Sequence, residues 1–146
     1  MINSLENFNK GYKTGVTFIL LKPSGEILMQ LRDDGKGKQI PYPDMWCFPG
    51  GGKDEGETYL DTSLREAREE YELDINADNC ILLTCYDHDN IFDDHVYICT
   101  VLKDCQPKLR EGRDMQWKKL PEIKKLSLAW EQLKIIEVLD EYLEVL

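Results

Sequence analysis

The most constraining stretch of this chain is FPGGGKDEGETYLDTSLREAREEYEL, Phe48 to Leu73. Pro49 and the glycines Gly50 to Gly52 keep a regular helix out of its first part, because proline lacks a donor and glycine loses too much backbone freedom. From about Glu57 to Glu72 no helix breaker interrupts, and Leu60, Leu64, Ala67 and Tyr71 recur at spacings of four, three and four. That period is one helical face set against a core. At about 100° per residue, Glu66, Glu69 and Glu70 share an arc of roughly 100° on nearly the opposite side. The fold must therefore present an acidic helical face directly after a glycine loop.

An acidic face opposite an apolar stripe is most often plain solvated surface. Here the chain already carries 28 acidic against 18 basic side chains, a net charge of -10, and like charges at i and i+4 cost a few tenths of a kcal/mol more. A divalent cation would reverse that sign. Carboxylates at this spacing suit magnesium or manganese, which take oxygen ligands, water and phosphate. The same charge argues against a nucleic acid polymer or an anionic membrane as partner, and leaves room for a small, metal-escorted anion.

The 146 residues, 42% of them hydrophobic, suffice for one packed core, so a single domain over residues 1–146 is expected. The start, MINSLENFNKGYKTG, lacks the basic and apolar pattern of a signal peptide, and no segment approaches the roughly 20 apolar residues of a membrane span. A cytoplasmic location is the expectation. Cys47, Cys80, Cys85, Cys99 and Cys105 form no C-x-x-C pair, which suggests reduced, mostly buried thiols rather than a disulfide framework or a zinc site.

Thr14 to Leu21 (TGVTFILL) and Ile27 to Arg32 (ILMQLR) read as two strands joined by the turn KPSGE, and Asp33 to Asp44 as a long loop. CILLTCYDHD and HVYICTVL suggest a hairpin turning around Asn90 to Asp94, and RDMQWKKL a further strand. Ser127 is placed to cap a last helix carrying Leu128, Gln132, Ile135, Ile136, Leu139, Tyr142 and Leu143. Strands with one helix in the middle and one at the end predict a layered, mixed α/β (α+β) domain.

Gly51, five residues, Glu57, seven residues, and then REAREEYEL from Arg65 to Leu73 resemble the signature of the Nudix hydrolases, G-x5-E-x7-R-E-U-x-E-E-x-G-U with U aliphatic. Glu72 is the one departure, standing where the family has glycine, at the point where a left-handed helix exit is expected. WCFPGG is similar to the family's lead-in, and LREGRDMQWKKLPEI to its distal segment. The resemblance implies an α/β/α sandwich around a mixed sheet, and metal-dependent cleavage of a nucleoside diphosphate linked to another group X, with Mg2+ or Mn2+ as cofactor.

The resemblance also distributes roles. Glu66, Glu69 and Glu70 match the metal-binding glutamates, with Glu69 and Glu70 the firmest ligands and Glu66 a ligand, the general base, or both in turn. Arg65 matches the arginine that orients a glutamate, and Glu57 is its partner or another ligand. Glu111 matches a position that supplies a further ligand or the base in some members, the alternative being a turn carboxylate. Arg32 matches a phosphate-contacting arginine of MutT-type members, and the glycine loop at Gly50 and Gly51 is where a substrate would come close. Tyr42, Trp46, Tyr86, His88 and Phe92 are candidates to stack on a base, and His88 and His95 flank an Asp-rich hairpin that reads as solvated surface.

The compact chain points to a MutT-like nucleoside triphosphate pyrophosphohydrolase with a small-molecule nucleotide as substrate. Hydrolysis of ADP-ribose, a nucleotide sugar or a diadenosine polyphosphate stays open, as does a non-catalytic nucleotide-sensing module. An exposed sheet edge would permit a homodimer.

Overall fold

The computed structural model describes residues 13–37, 40–88, 92–130 and 132–145. The start of the chain and the hairpin tip around Asn90 lie outside them, as do the side chains of Tyr86, His88 and Phe92. β1 (Lys13–Leu21) is the central strand, and its residues from Gly15 to Leu21 are buried. Val16, Phe18 and Leu20 pack on one side with Leu28, Ala67, Tyr71 and Cys99, while Ile19 and Leu21 join Ile27, Met29, Phe48 and Ile98 on the other. An unbroken apolar run, rather than an alternating one, is what a strand covered on both faces requires.

β2 (Ile27–Leu31), β3 (Trp46–Cys47), β4 (Gly50–Gly52), β5 (Cys80–His88), β6 (Phe92–Thr100) and β7 (Asp114–Lys118) complete the sheet. Its order is β3-β2-β1-β6-β5, with β4 also paired to β1 and β7 to β2. β1 and β6 run parallel, from Lys13 opposite Phe92 to Leu21 opposite Thr100, and the other pairs are antiparallel. The β1–β2 turn and β7 thus fall where expected, whereas Phe92 to Asp94, expected in the hairpin turn, are already strand, Asp94 lying opposite Tyr86. Among the described residues no helix is long and apolar enough to cross a membrane.

α1 (Tyr59–Tyr71) covers one face of the sheet. It starts at a capping box: the Thr58 hydroxyl accepts from the Asp61 N–H at 3.0 Å, and the Asp61 carboxylate accepts from the Thr58 N–H at 3.2 Å. Its buried residues are Thr62, Ser63, Ala67 and Tyr71. Leu60 and Leu64, expected in the core stripe, are only partly buried. The helix is turned toward its small residues because it lies on β1 and on β4, a strand made only of glycine. That rotation carries Glu66 and Glu70 to the edge of the buried face.

At its end Glu72 adopts the left-handed conformation, φ 53° and ψ 40°, where the signature has glycine. Its carboxylate pairs with Arg110, an exposed contact of little worth. Glu72→Gly is therefore expected to stabilise the fold by about 0.5–1 kcal/mol, raising the thermal midpoint by about 2–4 °C in a calorimetric scan.

The last helix departs from expectation. A short α2 (Leu120–Ile123) precedes it, and α3 runs from Leu133 to Glu144 rather than from Ser127. Leu128 instead forms a parallel bridge with Trp46, with Trp46 N–H donating to the Ser127 carbonyl at 2.9 Å and Ala129 N–H to the Trp46 carbonyl at 2.8 Å. Trp130 is left-handed, φ 52°, and the Gln132 side-chain carbonyl accepts from the Phe48 N–H at 2.9 Å. These long-range bonds hold the segment extended where local periodicity favours helix. Ile135, Ile136 and Leu139 are buried in the core beneath α3, as expected. The thiols fit their expectation only in part: Cys47 and Cys99 are buried, Cys80 and Cys105 half-buried and Cys85 exposed.

Candidate active site

Arg65 organises one end of α1. Its Nε reaches Glu57 Oε2 at 2.7 Å and its Nη2 reaches Glu57 Oε1 at 3.0 Å, a two-pronged pair. The remaining N–H groups go to Glu66 Oε1 at 2.9 Å, Glu69 Oε2 at 3.1 Å and the Gly52 carbonyl at 2.9 Å. Glu57 also accepts from the Asp54 N–H at 2.9 Å and the Thr62 hydroxyl at 3.1 Å. Arg65 above all, then the Asp54 N–H, holds the Glu57 carboxyl at about 2, well below the usual range.

Glu70 has the opposite surroundings. It is half-buried and shares hydrogen bonds with Glu66 and Glu111, and burial together with those two acids pushes its carboxyl up to about 10. Glu111 reaches it because the following segment is sewn to the helix end: Arg110 N–H donates to the Glu70 carbonyl and Lys108 N–H to the Tyr71 carbonyl, each at 2.9 Å. Gly112, at φ +85°, turns the chain there; a Cβ on it would lie 2.9 Å from the Leu31 carbonyl oxygen.

The glycine loop serves the protein's own packing. A Cβ on Gly51 would lie 2.3 Å from Glu66 Cδ, and one on Gly50 2.3 Å from the Val16 carbonyl oxygen. The space expected for a substrate at these two positions is filled by Glu66 and by β1, and only Gly52 has open space above it.

Oxygen donors alone, crowded and short of positive charge at Glu70, fit a hard divalent cation rather than zinc. Arg65 links Glu57, Glu66 and Glu69, and among the described residues no three Asp, Glu, His or Cys side chains form a closed set around one point. Glu69 is turned outward onto Arg65, so gathering it with Glu66 and Glu70 requires a side-chain rotation. Glu57, Glu66, Glu69, Glu70 and Glu111 nevertheless lie along one connected patch.

Arg32 makes its own set of contacts. Its Nε donates to the Pro41 carbonyl at 3.0 Å and its guanidinium lies 4.5 Å from the centre of the Trp130 ring. It also bonds the buried Cys47 thiol, which burial pushes up to about 11 against the pull of Arg32 and with a further push from Glu70. Tyr42 meets the same ring, centroids 5.3 Å apart at 53°. Sequence reasoning passed over Trp130, which looks like one more residue of a capped helix. Trp46 packs against the core and carries Lys118 over its ring. His95 stacks on Tyr59, with centroids 3.5 Å apart, and Tyr59 donates to Asp93 at 3.3 Å.

Taken with the layered fold, this arrangement is that of a pyrophosphohydrolase. The chain belongs to the Nudix family: the sequence pattern of the NUDIX domain matches residues 11–139. None of the curated protein sequences is similar enough to count as a relative. Among solved structures, a MutT studied from Aliivibrio salmonicida and Vibrio cholerae is 23% identical over 89% of this chain and 98% of its own, with a TM-score of 0.74. The NUDIX domain of Shewanella oneidensis NrtR, complexed with ADP ribose, is 21% identical over 97% of each chain, TM-score 0.70. A bifunctional NMN adenylyltransferase/ADP ribose pyrophosphatase of Francisella tularensis, complexed with AMP and a Mn ion, is 19% identical over 97% of this chain and 46% of its own, TM-score 0.72. At these identities the likeness is one of fold.

Proposed function

We propose that the chain is a MutT-like pyrophosphohydrolase that cleaves a nucleoside triphosphate between phosphorus atoms, with Mg2+ or Mn2+ as cofactor. The observation that carries this reading is Glu70, half-buried against Glu66 and Glu111 in a patch of oxygen donors short of a cation. Glu69 and Glu70 hold the metal, with Glu57, Glu66 and Glu111 as further donors. A bound cation offsets the phosphate charge and lowers the pKa of the attacking water. Arg65 is a positioning residue: by gripping Glu57, Glu66 and Glu69 at once it fixes the side chains that must receive the substrate's phosphates. Glu111 touches Glu70 from outside the Arg65 network, and we assign it to take the proton from water, with Glu66 the second candidate.

The nucleoside belongs beside Arg32. Its free N–H groups suit phosphate oxygens, and Trp130 and Tyr42 offer aromatic faces on the same side of the molecule. Tyr42, Asp44 and Trp130 are three of the four non-glycine residues with positive φ among the described residues. Such conformations cost of order 1–3 kcal/mol each and gather at sites that need them. Asp44 is braced by Arg113, 2.5 Å away, one residue beyond the Glu111 turn.

The test is product formation with Mg2+ or Mn2+ across nucleoside triphosphates, oxidised dGTP, ADP-ribose, nucleotide sugars and diadenosine polyphosphates, with Glu69→Gln as the blank. Triphosphate turnover lost in the variant is the expected result. Turnover of a conjugate alone would replace the substrate class, and tight nucleotide binding without turnover would make the chain a sensor. Trp130→Ala is expected to raise KM about 5–150-fold, the equivalent of one lost stacking contact of about 1–3 kcal/mol, with kcat nearly unchanged.

A further inference from the structure

Far from the glutamates in sequence, Cys80 opens β5 and Cys99 stands near the end of β6, and the two are direct partners in the antiparallel register. Opposed residues in such a ladder have Cα atoms about 4.5–5.5 Å apart, inside the range of roughly 4.4–6.8 Å that a disulfide spans. The two side chains share one packed cluster, and the Cys80 thiol donates to the Asn76 carbonyl at 3.6 Å. Cys80 is half-buried, whereas Cys99 is fully buried in the cluster that holds Ala67 and Tyr71. One sulfur is thus reachable from solvent and the second waits directly behind it. No other cysteine has this geometry: Cys85 is opposite His95 and Cys47 opposite Gln30.

We propose that Cys80 and Cys99 are a reversible dithiol–disulfide pair, a modification site separate from the carboxylate patch, with a peroxide as oxidant. The Cys80 thiolate attacks an oxygen of hydrogen peroxide, the O–O bond breaks, and a sulfenic acid and hydroxide form, the hydroxide taking up the proton that the Cys80 thiol released and leaving as one water. The Cys99 sulfur then attacks the Cys80 sulfur, the S–O bond breaks, and the Cys99 proton leaves with the hydroxyl as a second water. Two electrons pass from the thiols to the peroxide, and a small thiol such as glutathione returns them by exchange. Cys80 is the attacking thiol because it is the one that solvent reaches. Because the new bond closes the β5–β6 hairpin at its open end, it restricts the unfolded chain and stabilises the fold.

The experiment treats the full chain, natively folded, with hydrogen peroxide, blocks remaining thiols, digests, and maps the products by mass spectrometry. The expected product is a peptide pair joined through Cys80 and Cys99, lighter by two hydrogen atoms and reversed by dithiothreitol, with a raised melting temperature. Cys80→Ser is expected to lose both the link and the shift, and Cys85→Ser to keep both. Should Cys99→Ser fold poorly, Cys99→Ala replaces it as the second blank. Over-oxidation of Cys80 without a link, a link through Cys85 instead, or a Cys80–Cys99 link that forms only in denaturant would each overturn the proposal.

Discussion

Glu70→Gln is expected to lower kcat with Mg2+ or Mn2+ by at least about 100-fold, and at the same time to make the metal-free protein harder to unfold. The two effects have one cause. Glu70 is half-buried beside Glu66 and Glu111, so an ionised Glu70 loses water and gains like charges. A glutamine of the same shape removes the charge and offers N–H donors to both acids, turning repulsion into hydrogen bonds. It also removes an anionic oxygen that a hard cation needs. Activity and a thermal scan in chelator, run side by side, give opposite signs if Glu70 is kept for the metal. A fall in both would make Glu70 a structural acid, and unchanged activity would remove it from the proposed ligand set. Such opposition between local stability and function is what a site held ready for a missing charge should display.

The legibility of this chain follows the distance over which each bond acts. β1 was readable because its apolar run is local, and α1 because its helical period and its run free of helix breakers are close in sequence. Even the flaw in the signature could be placed: Glu72 takes the left-handed exit that the missing glycine implies. What escaped depends on partners far along the chain. Leu128 is drawn into a bridge by Trp46, and Gln132 is spent on the Phe48 N–H, so the last helix begins later than its own residues suggest. Trp130 meets Arg32 and Tyr42 only because of that detour. The rotation of α1 that brings Glu66 and Glu70 to the edge of its buried face is likewise set by the bare glycines beneath it. No helical wheel drawn from α1 alone contains that information.

Those glycines supply the second large effect, a contrast between neighbours. Gly51→Ala is expected to cost most of the activity while leaving stability unchanged, and Gly50→Ala to cost stability. The Cβ at position 51 would meet the Glu66 carboxyl, 2.3 Å from Cδ and 2.6 Å from Oε1. That carboxyl is the far end of a flexible side chain, so it swings away, breaking its 2.9 Å bond to Arg65 and its contact with Glu70. A misplaced group of this kind costs on the order of 100-fold in rate. At position 50 the obstacle is the Val16 carbonyl oxygen, again at 2.3 Å, and it belongs to the backbone of the central strand. It has no rotamer to change, and Gly50 is paired through β4 to Thr17 next to it. Relief requires β4 to lift off β1 or both strands to bend, a loss of about 1–3 kcal/mol as for other overpacked sites. Circular dichroism melts separate the two: an unchanged midpoint with lost turnover for Gly51→Ala, a lowered midpoint for Gly50→Ala. If instead the two variants behaved alike, the glycine run would be one flexible loop, and the close seating of Glu66 on Gly51 would not be what the signature glycine protects.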